Sequence, residues 1–320
     1  MLKNKMPRVE LHCHLDGSLS KGCLEELLGR KVADEELGVS TDCRDLAQYL
    51  EKFDLPLSVL QNEAGLKRAG YDFIETVYRE HMDYVEVRFA PLLSAQKGLA
   101  ADKVIASVID GLEKGKKEYG VEYGVIVCAM RHHGYEENLA MIKTSREFLG
   151  NGVCGADLAG NEAAYPMSEF MELFTEVRRL GMPFTIHAGE CGNVKNITDA
   201  IECGAARIGH GIAMRNDEAV MKLCADRKIG VEMCPISNLQ TKAVKDMSEY
   251  PMKQFLDKNI MVTVNTDNRT VSTTTMDKEL DFIQKNYGIT DDEIVRMMKN
   301  AVEVSWADDA IKNRLIKMFS

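Results

Sequence analysis

Two histidines near the start of the chain, His12 and His14, lie one residue apart in an apolar segment that reads Val-Glu-Leu-His-Cys-His. Alternate residues of a β-strand share a face, so the two imidazoles can converge on one metal ion. The pair alone is a weak signal, because short motifs match by chance. His187 and Asp267 each end another apolar segment. Three imidazoles and a carboxylate suit zinc and leave a position for water, so the four residues predict a hydrolytic metal site.

Two further polar residues follow these segments. Glu190 comes three residues after His187, across a glycine, and can reach the same pocket without being a ligand. A carboxyl group in a site that excludes water can have a raised pKa and act as a proton donor. The alternative for Glu190 is a glutamate on a surface loop. His210, in Arg-Ile-Gly-His-Gly, is placed to hydrogen-bond the water at the metal.

These side chains need elements that bring them together. Short segments rich in Val, Ile and Phe alternate with amphipathic helical segments, a pattern typical of a parallel sheet. The predicted strands are residues 9–14, 84–89, 121–130, 153–157, 184–187, 207–209, 230–233 and 261–265. Eight such units predict one α/β domain over residues 1–320, a (β/α)8 TIM barrel whose active site lies at the carboxyl ends of the strands. An open doubly wound sheet is the alternative, but no Gly-x-Gly-x-x-Gly follows a strand.

The ends of several helices can also be predicted. Gly120 should end a helix that begins before residue 104, and Gly181 should end one that Ser168 precedes. Thr290 and Glu293 form a capping-box pattern at the start of another helix. Residues 16–83 are too many for one crossover, and we expect extra helices there that cover the C-terminal mouth of the barrel.

Composition and charge exclude several classes of protein. Of the 320 residues, 45% are hydrophobic and 28% charged, which excludes general disorder. The net charge of −10 argues against nucleic acid or an anionic membrane as a partner, since both need a basic surface. The sequence shows no apolar run near the ~18 residues of a membrane helix and no signal peptide. The nine cysteines never form Cys-x-x-Cys, so we expect reduced thiols in a cytoplasmic protein. No obligate protein partner is expected.

Seven longer motifs occur in a fixed order along the chain. They are His-Cys-His-Leu-Asp-Gly (12–17), Val-Glu-Val-Arg-Phe-Ala-Pro (85–91), Gly-Ala-Asp-Leu-Ala-Gly-Asn-Glu (155–162), His-Ala-Gly-Glu (187–190), Gly-His-Gly (209–211), Cys-Pro-Ile-Ser-Asn (234–238) and Asn-Thr-Asp (265–267). With these motifs the whole chain resembles the adenosine deaminase family of the amidohydrolase superfamily. The ordered set is far more specific than any one motif.

The resemblance implies a ligand set and a division of roles. One zinc ion per chain would be bound by His12, His14, His187 and Asp267. Only one metal is expected, because residues 154–158 lack the bridging lysine of binuclear amidohydrolases. Glu190 would protonate N1 of the purine, while His210 and Asp267 would orient the attacking water and accept its proton.

The same resemblance implies the contacts with the substrate. These would come from His14, Asp16, Gly160 and Asn268. The N–H of Gly160 would meet purine N3, and Asp16 the ribose 5′-hydroxyl. Asn268 departs from the second aspartate of many family members, which hydrogen-bonds purine N7. Because an amide always offers donors whereas an aspartate must first be protonated, we expect Asn268 to keep this contact with a different pH dependence.

The predicted activity is zinc-dependent hydrolytic deamination of adenosine and 2′-deoxyadenosine. Deamination of adenine or of a modified nucleoside is the alternative, although Asp16 is shorter than the glutamate typical of adenine deaminases and leaves room for a ribose. A non-catalytic nucleoside-binding or signalling protein is disfavoured because every motif position for chemistry is filled, and a cyclic-amide amidohydrolase because the bridging lysine is missing. The Pro-Cys-x-x-Cys of cytidine-type zinc deaminases is absent.

Overall fold

Eight parallel strands form the centre of the molecule. The computed structural model describes residues 6–40, 43–44 and 46–319, with only the backbone of Ala47. The strands are β1 Val9–His14, β2 Tyr84–Phe89, β3 Glu122–Met130, β4 Val153–Ala159, β5 Thr185–Ala188, β6 Arg207–His210, β7 Gly230–Met233 and β8 Met261–Val264. Every predicted strand is confirmed, with ends that agree to within two residues. Near-complete burial of these strands explains why their sequences are apolar without alternation.

The strands close into a barrel. Strands β1 to β4 pair in chain order, as do β5 to β8, and all pairs are parallel. Parallel bridges between Ala156 and Phe184 and between Cys13 and Asp267 join the two groups at both edges. At the second bridge the Asp267 N–H donates to the His12 carbonyl over 3.0 Å. The predicted (β/α)8 barrel is therefore confirmed, and its closure brings the first and last strands together at the predicted metal site.

Helices surround the barrel and cover its mouth. The α-helices are α1 Lys21–Leu28, α2 Asp34–Leu37, α3 Leu46–Leu50, α4 Asp54–Val59, α5 Glu63–Arg79, α6 Ala101–Tyr119, α7 Tyr135–Arg146, α8 Met171–Arg179, α9 Val194–Cys203, α10 Glu218–Asp226, α11 Pro235–Gln240, α12 Met252–Asp257, α13 Met276–Tyr287, α14 Asp291–Val304 and α15 Asp309–Lys317. Short 3-10 turns occupy Asp16–Ser18, Glu51–Phe53, Pro91–Ser94, Met167–Glu169, Ile212–Asn216 and Met247–Glu249. The extra helices predicted between residues 16 and 83 are α1 to α5.

The predicted helix ends are confirmed in three cases and wrong in one. Gly181 follows the last turn of α8 with a left-handed φ of 69°. Gly120 ends α6 in the left-handed conformation, with φ of 76°, and Thr290 and Glu293 form the capping box of α14. Ser168 does not lie just before α8, because it sits inside a separate 3-10 turn. In that turn the Phe170 N–H donates to the Met167 carbonyl, and the φ of −112° at Phe170 separates the turn from the helix.

Two expectations from composition concern the cysteines and the membrane. Each of the nine cysteines lies among the described residues, and none of them forms a disulfide bond. Within residues 6–40, 43–44 and 46–319, none of the helices combines the length and the apolar character needed to span a bilayer. The cytoplasmic location stays a prediction.

Helices α5 and α6 pack with their backbones in contact. A Cβ atom added at Gly111 would lie 2.1 Å from the Lys67 carbonyl oxygen, and one at Gly70 would lie 2.6 Å from the Val108 carbonyl oxygen. Backbone atoms cannot move aside as the end of a flexible side chain can. We therefore expect Gly111→Ala to lower the free energy of unfolding by about 1–3 kcal/mol, the usual effect of overpacking, as measured by urea denaturation.

A matched control for this substitution lies in α1. The nearest atom to a Cβ added at Gly22 is the Ser20 Oγ at 3.9 Å, so alanine fits there without strain. Gly22→Ala should not lower the free energy of unfolding and should raise it by at most about 1 kcal/mol, because alanine has the higher helix propensity and Gly22 lies in the first turn of α1. Equal stability of Gly111→Ala and the wild type would contradict the close contact between the helices.

Candidate active site

A cavity of about 350 Å³ opens at the carboxyl ends of the strands, under α3 and α4. Its wall contains eight of the nine predicted site residues: His14, Asp16, Gly160, His187, Glu190, His210, Asp267 and Asn268. The ninth, His12, is fully buried, and its ring centroid lies 4.6 Å from that of His187. The structure thus brings all nine predicted residues to one place, although they span more than 250 positions of the chain.

The four predicted metal ligands face one another. The Nε2 atoms of His14 and His187 are 3.2 Å apart, and Asp267 Oδ1 lies 3.4 Å from the Nε2 atoms of both His12 and His14. The ligand atoms of His12, His14 and His187 all lie within 4.8 Å of one another. His12 Nε2 is buried and has no hydrogen-bond partner among the described residues. An orphaned imidazole nitrogen beside a carboxylate and two other imidazoles fits a bound divalent metal ion.

The protonation states of two ligands also favour metal binding. Burial lowers the pKa of His14 well below its usual value, so its ring is neutral and offers a lone pair. Burial alone would raise the pKa of Asp267, but the adjacent His12 holds it well below the ordinary range. The carboxylate is therefore ionised, which is the form that binds metal.

A second layer of charged side chains orients the imidazoles. Glu232 Oε2 lies 2.9 Å from His12 Nδ1, and Asp157 Oδ2 lies 2.8 Å from His187 Nδ1. Arg88 connects these two carboxylates: its Nη1 lies 2.8 Å from Asp157 Oδ2, and its Nη2 lies 2.8 Å from Glu232 Oε2. A carboxylate behind a ligating imidazole fixes the ring and leaves the other nitrogen free for the metal. No role was predicted for these residues from the sequence, although charged side chains inside apolar strands indicate a function.

Glu232 gives the first prediction for this site. Replacing it with glutamine removes the charge that polarises His12 and that neutralises Arg88 and Arg207. We expect the affinity for the metal to fall about 10–100-fold, the usual effect of losing such a partner. Competition with a chelator measures the affinity. The control is Glu113→Gln. Glu113 accepts a hydrogen bond from the Tyr123 hydroxyl outside the barrel mouth, so its loss should leave the affinity for the metal at the wild-type value.

His210 presents a defined tautomer to the cavity. Asn238 Nδ2 donates to His210 Nδ1 over 3.0 Å, and the Tyr250 hydroxyl fixes the amide by donating to Asn238 Oδ1 over 3.3 Å. The ring proton of a neutral His210 is therefore on Nε2, which lies 3.7 Å from Glu190 Oε2. His210 has the left-handed φ of 65° and Asp267 has 61°. Such conformations are uncommon outside glycine and cluster at functional sites.

The two candidate proton-transfer carboxyls have different neighbours. Glu190 is 8% exposed, and its Oε1 accepts from the Thr241 hydroxyl over 2.8 Å. Asp267 turns Oδ1 to the histidines and accepts with Oδ2 from the Ser237 hydroxyl over 2.6 Å. Glu190 and its threonine partner both line the cavity, so the Glu190 carboxyl is placed where a substrate would lie.

Asn268 is seated against the loop that follows β1. A Cβ atom at Gly17 would lie 1.9 Å from Asn268 Oδ1, so only glycine fits there. Asn268 is buried, and its Oδ1 has no hydrogen-bond partner in the described part of the chain.

Asp16 lies in the same loop. Burial raises the pKa of its carboxyl group to about 6, although hydrogen bonds from two backbone N–H groups lower the pKa in part.

The mouth of the cavity is lined by the helices inserted after β1. Phe53 and Leu57 both line it, and so does Tyr49 of α3. The Tyr49 hydroxyl lies 2.6 Å from Ser272 Oγ, which ties α3 to the loop after β8.

Comparison with known proteins agrees with this site. The sequence model of the family described as adenosine deaminase matches residues 7–319. The chain is 39% identical to an adenosine deaminase of Enterococcus faecalis, over 93% of this chain and 91% of that protein. Among solved structures, an adenine deaminase from Arthrobacter aurescens superposes with a TM-score of 0.88 at 23% identity, covering 98% of both chains. An amidohydrolase from Burkholderia ambifaria with bound zinc has a TM-score of 0.88 at 18% identity, covering 99% of this chain and 90% of that one. By the match over nearly its whole length and by this level of identity, the chain belongs to the adenosine deaminase family.

Proposed function

We propose that this protein hydrolyses adenosine and 2′-deoxyadenosine to inosine and 2′-deoxyinosine, with release of ammonia. The observation that carries the proposal is the convergence of the orphaned His12 imidazole, two further imidazoles and Asp267 beside Glu190 in one covered cavity. The name of the Enterococcus relative, at 39% identity, supports the same activity.

The metal in this proposal is a single zinc ion. It would be held by His12, His14, His187 and Asp267, a set of nitrogen and oxygen donors that zinc prefers. The zinc found in the Burkholderia structure supports this choice. When bound, zinc lowers the pKa of its water from 15.7 to about 7 and so supplies a nucleophile at neutral pH.

The chain's own residues would carry the proton transfers. Attack at C6 of the purine removes ring aromaticity, and protonation of N1 by Glu190 would assist it. The Nε2–H of His210, fixed by Asn238, would donate to the attacking oxygen and orient it. Asp267, ionised and held by Ser237, would accept the proton of the nucleophile and pass it to the C6 amino group, which leaves as ammonia. The proton left on the C6 hydroxyl would return to Glu190 as the carbonyl of the product forms.

The rest of the cavity would position the nucleoside. The N–H of Gly160 would meet purine N3, and Asp16 the 5′-hydroxyl, while His14 borders the same space. Phe53 and Leu57 would cover the ribose side and exclude water, which strengthens the electrostatic interactions inside.

The test of this function is metal analysis combined with a comparison of two substrates. Purified protein should contain about one zinc ion per chain, from the ligand count of a mononuclear site. The absorbance change on deamination should be rapid with adenosine and 2′-deoxyadenosine. It should be at least about a hundredfold slower with adenine, because adenine lacks the ribose whose binding energy would lower the barrier to the reaction. Faster turnover of adenine would replace this proposal with the alternative activity.

Asn268 gives a prediction for the pH dependence of this reaction. Asn268→Asp should be active at low pH, where a protonated carboxyl can donate to purine N7. Its kcat/KM should decline relative to wild type as the pH rises, because an ionised carboxylate only accepts hydrogen bonds. Parallel pH profiles of the two proteins, measured from pH 5 to 9, would mean that the contact with N7 contributes nothing here.

A further inference from the structure

Glu162 lies in the loop after β4 and is almost completely buried, with 3% exposure. Its carboxylate accepts three successive backbone N–H groups: those of Gly189 over 2.6 Å, Glu190 over 2.9 Å and Cys191 over 3.1 Å. Asn196 adds a fourth donor over 2.8 Å. Both oxygens of the carboxylate therefore receive two N–H bonds each, and the centre of the bonded segment is the proposed proton donor itself.

The segment that carries Glu190 would otherwise have considerable freedom. Gly189 and Gly192 flank it with left-handed φ angles of 81° and 83°, so two residues with wide backbone freedom lie close to Glu190. Other contacts also hold this part of the chain: Arg131 donates to the His187 carbonyl over 2.7 Å before the segment, and the Ala213 N–H donates to the Gly189 carbonyl, inside it, over 2.8 Å. The Glu162 side chain binds the N–H groups of residues 189 to 191 and so orients these peptide planes.

We propose that Glu162 is a positioning residue for the deamination, and that it acts through Glu190. By binding the N–H groups before, at and after residue 190, it sets the direction in which the Glu190 side chain leaves the backbone. The Glu190 carboxyl, which accepts from the Thr241 hydroxyl, then lines the cavity. This inference rests on the proposed function, because it assumes that Glu190 transfers a proton to the purine.

A carboxylate is required for this arrangement. A glutamine at position 162 has one acceptor oxygen and an NH₂ group that would face two N–H donors in either orientation. The variant Glu162→Gln therefore leaves two buried N–H donors unpaired. We expect the segment of residues 189–191 to be held less firmly as a result. A misplacement of about 1 Å in a reacting group can cost about a hundredfold in rate.

The experiment is a double-mutant cycle with Glu190→Gln. In the wild-type background, Glu162→Gln should lower kcat about 10–100-fold, with KM within about threefold and the zinc content unchanged. In the Glu190→Gln background the same change should alter kcat by less than about threefold, because two residues that act through one step are not additive. An equal loss of kcat in both backgrounds, or loss of zinc, would overturn the proposal, since a residue that only stabilises the fold would act alike in both.

A second readout does not depend on activity. Amide hydrogen exchange at residues 189–191 should be faster in Glu162→Gln than in the wild type, and unchanged exchange would also overturn the proposal. A wild type without adenosine turnover but with this exchange difference would refute the proposed function and leave the positioning of the segment intact. If Glu162→Gln does not fold, Glu162→Asp, which withdraws the carboxylate by one methylene, replaces it in the cycle.

A matched control lies at the start of α14. Glu293 also accepts a backbone N–H, that of Thr290 over 2.9 Å, but it has no contact with the cavity. Glu293→Gln should keep kcat within about twofold of wild type and leave the exchange of residues 189–191 unchanged, because effects at distant sites are independent.

Discussion

A His187→Ala variant is expected to fold, to lose its metal and to lose adenosine deamination by more than about four orders of magnitude. The backbone at this position is held independently of the imidazole, because Arg131 donates to the His187 carbonyl and β5 pairs with β6. The side chain supplies one of three imidazoles around the proposed ion. Without the metal, the pKa of the attacking water returns from about 7 to 15.7, and little nucleophile exists at neutral pH.

The measurements for this prediction are metal content, circular dichroism and turnover on the same preparation. The control is His81→Asn, which removes an exposed histidine from a turn with φ of 59°, a conformation that asparagine tolerates. His81→Asn should keep its metal and its activity. A His187→Ala protein with wild-type metal content would remove this residue from the ligand set, and retained turnover without metal would remove the metal from the reaction.

The barrel could be predicted because its signals are local. Each strand is buried on both faces, so the apolar residues appear as short continuous runs, and β2 and β7 were placed without error. The site followed from the same runs, since the carboxyl ends of barrel strands meet at one face. The failure at Ser168 is local as well: a serine before an acidic residue resembles a helix start, and only the conformation of Phe170 separates the turn from α8.

The residues behind the site could not be assigned from sequence. Asp157, Glu232 and Arg88 come from three strands, and their pairing depends on which side of each strand faces the barrel interior. Glu162 is the last residue of the motif at residues 155–162. Its partners are backbone N–H groups, which every residue type except proline carries, so the sequence does not identify them. Charged residues in apolar surroundings indicate that a role exists, because burying an unpaired charge is costly. Which role each residue has can be assigned only from its contacts in the structure.

Glu190→Gln is the second large effect that we expect. A carboxamide has almost the same shape as a carboxyl group, so the variant should keep the hydrogen bond from Thr241 and the zinc site, from which Glu190 is separate. It cannot deliver a proton to purine N1. Loss of a general acid typically lowers turnover by about 10²–10⁴-fold, and we expect kcat to fall by this factor while the dissociation constant for a non-hydrolysable purine nucleoside changes by less than about tenfold.

The distinguishing measurements are kcat and zinc content, taken on the same preparation of each variant. Glu190→Gln should contain as much zinc as the wild type while its kcat is reduced by this factor. Glu202→Gln, an exposed residue on α9, should keep both the rate and the zinc. Full activity in Glu190→Gln would exclude Glu190 as the proton donor. A reduced rate that accompanies a loss of zinc would instead assign Glu190 a role in the metal site.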